Sequence, residues 1–372
     1  MKKIQSRLTI LCLALLAAPT IPLAASSAHA TDQHATPLPH VTMEKYPDRI
    51  QAGLEEYRRE LEATASVANP RVPYYIIVPT LQRWTPGSKV RVAFNGGNDA
   101  LYTKIKSAAL RWFKPNGANL DLVFEDAQGH FLHWTPNDRA YAAEIRVGFN
   151  SDQNGGYWSL VGTDSNTAAI QGGGPGQESL NLDSFDRALP ADWQAIVTHE
   201  FGHALGFQHE HQSPAGGCDF RFENDAGYVP TKDAQGWYTT DSAGRRPGLY
   251  TYLGGYANYW SKTTVDANLR TIPTTSAFLV GPFDKSSIMK YFFGAFMFIK
   301  GDQSPCYTDA ENLVVSAQDF VGVAQAYPND AAAVAQQNSN LQDVLKQITT
   351  TQSAPTVIRE QAAIRLRVPA PQ

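Results

Sequence analysis

Charge of one sign is lacking. Of 372 residues, 31 are basic and 35 acidic, for a net charge of −4, so nothing marks a surface for nucleic acid or anionic lipid. Long apolar runs are also missing, apart from one at the start. There Lys2, Lys3 and Arg7 precede an apolar stretch at 8–18, and Ala28-His29-Ala30 gives the small-x-small pattern of a cleavage site. Residues 1–30 are expected to be a secretory signal peptide, because the run is too short to anchor in a membrane and Pro19 and Pro22 interrupt it. The product is expected to be exported, either secreted or periplasmic. Cysteine is scarce: three are present, and Cys12 falls in the leader. Cys218 and Cys306 remain. In an oxidising compartment they are read as a disulfide closing a loop of 306 − 218 = 88 residues, with free buried thiols as the alternative. Neither is expected to be a nucleophile or a metal ligand. No cysteine lies between 31 and 83, so no thiolate from that segment can cap a metal. The glycine-rich stretch at 172–176 lacks the Gly-Lys-Ser/Thr ending of a phosphate-binding loop.

What is present is concentrated at 191–214, ADWQAIVTHEFGHALGFQHEHQSP. On a helix, His199 and His203 lie one turn apart on the same face and can grip one ion. Glu200 is one step round and can hold a water beside it. Gly206, without a Cβ, can take positive φ and end the helix. The returning chain lets His209 reach the same ion. Three neutral imidazoles with one open position are the ligand set of a catalytic zinc.

Around this motif the chain divides into an N-terminal extension or propeptide (31–85), a catalytic domain (86–330) and a tail (331–372). The extension carries a helix at 51–66, and Asp32 or Asp48 is a carboxylate that could occupy the site before activation. Strands are expected at 74–78, 89–94, 120–125 and 144–149, with a helix capped by Asp99 running to about 113. Residues 150–177 read as loop. Residues 178–182 are either a sheet edge to which an extended peptide can add, or an ordinary core strand. His130 and His133 read as a solvated loop, with a second metal site the weaker alternative. The segment 212–280, rich in Tyr, Trp and Gly at 248–260, is an insertion that shapes the cleft or simply packs. A last helix spans 316–327, and the tail has one helix at 339–349.

Further along stands Ser287-Ile288-Met289-Lys290-Tyr291. Together with HEFGHALGFQHE, this resembles the metzincin clan of zinc proteases; Glu210 directly after His209, and Tyr291 two after Met289, resemble its astacin-like family. The resemblance implies an α+β fold, with a twisted, mostly parallel five-stranded sheet, a zinc helix and an irregular lower lobe. It implies one Zn2+ held by His199, His203 and His209, with Glu200 as catalytic acid/base. Tyr291 would be a further ligand or transition-state stabiliser, Met289 the floor of the site, and Glu210 a buried partner. The implied function is a secreted zinc endopeptidase that cleaves protein or peptide through zinc-activated water. A non-peptidase zinc hydrolase and a binding protein with a residual zinc site are the alternatives. The chain departs from the family in QSPAGGCDF after His211, in Lys290 where His is common, in lacking a Phe-x-Gly-Asp propeptide motif, and in the separation 289 − 209 = 80.

Overall fold

The computed structural model describes residues 38–39, 43, 45–64, 78–79, 81–113, 117–152, 155–272, 278–279, 281–352, 354 and 356–367. The first helix, α1 (Asp48–Thr64), starts three residues before the expected 51. Of the strand expected at 74–78, residues 74–77 lie outside the described residues; β1 is Val78–Pro79. The alternating KVRVAF stretch forms β2 (Lys89–Phe94). Helix α2 (Asp99–Ala109) is capped by Asn98 rather than Asp99: its side chain accepts from Leu101 N–H at 3.1 Å. A 3-10 turn, Leu110–Phe113, continues it.

Strands β3 (Asp121–Val123), β4 (Leu132–His133), β5 (Ile145–Gly148), β6 (Tyr157–Ser159) and β7 (Leu180–Leu182) complete the main sheet with β2. Its order is β3-β2-β5-β7-β6, with β4 also beside β2. Every pairing is parallel except that of β6 with β7. The sheet therefore has six strands, not five. Two of the six come from stretches expected to be loop, β4 from the one holding His130 and His133 and β6 from 150–177. Strand β6 is also the sheet edge, whereas β7 lies inside with all three residues buried. A three-residue run covered on both faces carries no alternation from which to tell edge from centre.

Helix α3 (Trp193–Ala204) packs with α2 against this sheet. Val92, Ile145 and Leu180 from the strands meet Ile105, Val197 and Phe201 from the helices, and each fully buried side chain of this size contributes about 1.5–3 kcal/mol. The insertion folds as β8 (Thr231–Lys232), β9 (Tyr238–Thr239), α4 (Leu249–Gly254) and α5 (Lys262–Leu269), and β10 (Phe278–Leu279) returns to pair with β1. In its aromatic stretch Leu249, Tyr252 and Trp260 are buried with Phe293 and Phe298 in a second core, while Tyr256 and Tyr259 are exposed. Cys218 and Cys306 are joined there, their Cα atoms 5.2 Å apart.

Helix α6 (Ala317–Ala326) opens with a complete capping box between Ser316 and Asp319. Among the described residues of the tail there are two helices, not one: α7 (Ala331–Thr350) and α8 (Thr356–Arg367). Leu341, Leu345 and Ile348 form a stripe that packs with Ile358 and Ala362 in a third core, which also contains Ile50 and Trp158. Among the described residues, no helix is long and apolar enough to cross a membrane.

Candidate metal centre

Helix α3 places His199 and His203 one turn apart on one face. Gly206, at φ +99°, then ends the helix. Its N–H donates to His203 C=O at 2.7 Å, and Phe207 N–H donates to Gly202 C=O at 3.0 Å. The reversed chain brings His209 back, and ligand atoms of the three histidines lie within 4.8 Å of one another. His203 Nε2 and His209 Nε2 are 3.1 Å apart.

Backbone carbonyls set the ring orientations. His199 Nδ1–H donates to Ile288 C=O at 2.7 Å, and His203 Nδ1–H donates to Phe207 C=O at 2.8 Å. A carbonyl only accepts, so both Nε2 atoms carry lone pairs. His199 Nε2 is buried without a hydrogen-bond partner among the described residues. Burial pulls the His199 pKa down to about 4, that of His203 to about 3, and that of His209 well below its ordinary value. All three are neutral at pH 7, the form that binds metal. Buried lone pairs converging on one point fit a cation, and the three-histidine group can hold one metal ion.

Met289 packs against α3 at Gly202. A Cβ there would lie 2.3 Å from Met289 Sδ and 2.7 Å from Trp112 Cζ2, so only glycine admits Met289 against the helix. The sequence reading passed over Gly202, although a glycine inside a helix costs about 1 kcal/mol and so invites a reason. Met289 C=O accepts from Glu210 N–H at 2.9 Å, tying Met289 to the returning chain. Glu210 is buried; its Oε1 accepts from Asp284 N–H at 2.8 Å, and burial pushes its pKa well above the usual carboxylate range.

Asp319 was legible as a helix cap but not as part of the site. Its carboxylate accepts from Ser287 Oγ at 2.7 Å and from Ile288 N–H at 2.9 Å, and burial pushes its pKa up to about 6. It thereby holds the turn that orients His199.

The Tyr291 ring lies 4.3 Å from that of His209 and 5.4 Å from that of His199, between centroids. Tyr291 shares a small pocket with Glu200, His203, His209 and Asn268. His211 lies outside the three-histidine group: its Nε2–H donates to Asn268 C=O at 2.9 Å, and its ring stacks on that of His209. Lys290 is buried, donating to Tyr291 C=O at 3.0 Å and Thr308 Oγ1 at 3.1 Å. Burial lowers its pKa to about 8.

Two other stretches were read from the sequence for a role near a metal. His130 is exposed, 3.5 Å from Asp126, and His133 sits exposed on β4; among the described residues they form no metal-holding group. Asp48 is exposed and ion-paired with Lys45 at 2.8 Å, and among the described residues it is not part of the metal-holding group; Asp32 lies outside the described residues. The N-terminal residues that do line the histidine pocket are Lys45 and Tyr46.

No protein-family model matches this chain, and neither does any curated protein. Among solved structures, one of myroilysin is 28% identical, with a TM-score of 0.50, over 68% of this chain and 99% of that one. A crystal structure of myroilysin is 26% identical over 67% of this chain and 86% of that one, with a TM-score of 0.39. The chain is thus similar to myroilysin over nearly all of that protein's length, in a mixed α/β fold with a mostly parallel sheet.

Proposed function

We propose that this chain is an exported zinc-dependent endopeptidase of the metzincin type, astacin-like in its motif, acting on protein or peptide. The observation that carries the reading is the convergence of three neutral, buried imidazoles, two of which, His203 and His209, share one small pocket with Glu200. His199, His203 and His209 would hold the ion, an imidazole set that suits zinc. When bound, zinc would polarise a substrate carbonyl and acidify a water. Glu200 takes the proton of the attacking water and delivers it to the leaving amine nitrogen. The Tyr291 hydroxyl donates a hydrogen bond to the developing oxyanion, a contact of about 3 kcal/mol in comparable sites. Gly206, Met289 and Glu210 support the ligands. Residues 1–30 serve as the export leader, 31–85 as a propeptide and 86–330 as the catalytic domain.

The test is a substrate panel of casein, peptides and simple esters, run on the chain cut after its N-terminal segment, alongside metal analysis on the same sample. The expected result is peptide cleavage that stops when the metal is chelated and returns with zinc. Ester hydrolysis without peptide cleavage would assign a different zinc hydrolase, and zinc binding without turnover would leave a binding protein.

A further inference from the structure

Beside the histidines lies a second small space, of about 40 Å³, which shares His203, His209 and Asn268 with the one that holds Glu200. Gln82, Val161, Asp164, Gln208 and Gln212 supply most of its wall. The fixed charge here has one sign. Asp164 and Glu55 line the space, no lysine or arginine among the described residues does so, and burial keeps His203 and His209 neutral at pH 7.

Asp164 is tied to the turn that returns His209. It sits on the 3-10 turn Gly162–Asn166, which Gly162 opens at φ +49°. A Cβ on Gly162 would lie 1.9 Å from Gln82 C=O and 3.2 Å from Gly206 Cα, so glycine lets this turn rest directly on the one that ends α3. Gln82 C=O accepts from Thr163 N–H at 2.8 Å. The Gln82 side chain donates from Nε2 to Asp164 Oδ2 and accepts at Oε1 from Gln208 Nε2 at 3.4 Å. Across the space, Gln212 Nε2 donates to the carbonyls of Ala267 and Arg270, at 2.9 and 3.1 Å, and fixes the end of α5. Asp164 is 1% exposed. It is a carboxylate held out of water, at a fixed place beside two candidate ligands.

The space is set up for a donor. Gln51 of α1 faces it and is buried. Its Nε2 donates to Glu55 Oε1 at 2.7 Å, and its Oε1 is buried with no hydrogen-bond partner among the described residues. The amide thus brings an acceptor to a wall of acceptors. An ammonium or guanidinium offers donors only, and its bonds to a carboxylate are about twice as strong as neutral ones.

Resting on the peptidase reading above, we propose that this space is a side-chain subsite for a lysine or arginine of the substrate, with Asp164 as its specificity-determining residue. Because the subsite shares His203 and His209 with the metal-holding group, it receives a residue close to the scissile bond. The substrates it selects are basic peptides and proteins.

The test uses the zinc-loaded chain with a sequence-specific protease site replacing residues 68–72, cut there. Quenched peptides that carry lysine, norleucine or glutamate at each position around the scissile bond are compared by kcat/KM. Peptide hydroxamates with the same replacements are compared by affinity, which needs no turnover. At one position lysine should exceed norleucine by at least about tenfold, with glutamate the poorest. Asp164→Asn, which keeps an acceptor for Gln82 but removes the charge, should cut the lysine-to-norleucine ratio by about tenfold in both readouts, and Asp164→Glu should restore part of it. Val161→Lys, which brings a competing cation into the same space, should lower the ratio as well; zinc content and urea midpoint report the folding of each variant. No basic preference at any position, or one that folded Asp164→Asn and Val161→Lys proteins retain, would overturn the subsite. A chain that cleaves no peptide but binds the lysyl hydroxamate more tightly through Asp164 would leave the subsite standing and overturn the peptidase reading. One that does neither would overturn both.

Discussion

Asp319 and His199 are coupled through one residue: Ile288 donates its N–H to Asp319 Oδ2 at 2.9 Å and accepts from His199 Nδ1 at 2.7 Å through its carbonyl. A carboxylate in the first turn of α6 thus fixes the tautomer and direction of a candidate ligand it does not touch. Partners of this kind typically account for about 10–100-fold in metal affinity. Asp319→Ala is expected to weaken zinc binding by about that factor, with Asp319→Asn, which keeps the shape and one acceptor, losing less. Competition with a chromogenic chelator measures this, and parental affinity in a folded Asp319→Ala protein would remove the residue from the account.

Gly202→Ala drives a methyl group into Met289 Sδ and Trp112. Overpacking of this kind costs about 1–3 kcal/mol. The denaturant midpoint should fall accordingly, and adding Met289→Ala should recover part of the loss by removing the opposing atoms. Identical midpoints for Gly202→Ala and the parent would contradict the close approach.

The Cys218–Cys306 bond closes a span of 88 residues in the second core. Replacing both cysteines by serine should cost about 2–4 kcal/mol, mostly by freeing the unfolded chain. Parallel unfolding curves of parent and variant under oxidising conditions give the difference.

The metal-free protein should lose stability in acid. Burial depresses His199 to about 4, His203 and His211 to about 3, and His209 well below the ordinary 6.5. Below about pH 6.5 the unfolded chain therefore binds more protons at these positions than the native one, and the stability present above that pH is lost as pH falls towards 4. Asp319, raised to about 6, and Glu210, also raised, act in the opposite sense: their contribution is present in acid and lost as pH rises. Four histidines outweigh two carboxyls. Urea midpoints of the metal-free chain should fall from about pH 7 to about pH 5, and a midpoint that rises would reverse the assignment.

The three-histidine group was largely legible in the sequence because its geometry is local. His199 and His203 are related by helical spacing, and Gly206 announces the turn that returns His209. Gly202 and Asp319 were not, since each acts on Met289 or Ile288, which lie far along the chain and meet them only after folding. The short edge strand Tyr157–Ser159 was hidden in a glycine-rich stretch. The second tail helix carries only a thin apolar stripe, Ile358 and Ala362, whose meaning depends on the partners it packs against. Tyr46 could not be placed beside the histidines, because its anchor, Ser159, is 113 residues away.

The central claim is that Glu200 performs proton transfer beside a zinc held by His199, His203 and His209. Its most direct test is casein cleavage by the chain cut after its N-terminal segment, parent against Glu200→Ala, with zinc content measured on the same samples. The account predicts that the variant keeps about one zinc per chain and loses cleavage by a factor of about 10² or more. A zinc-loaded Glu200→Ala protein that cleaves casein at the parental rate would contradict it.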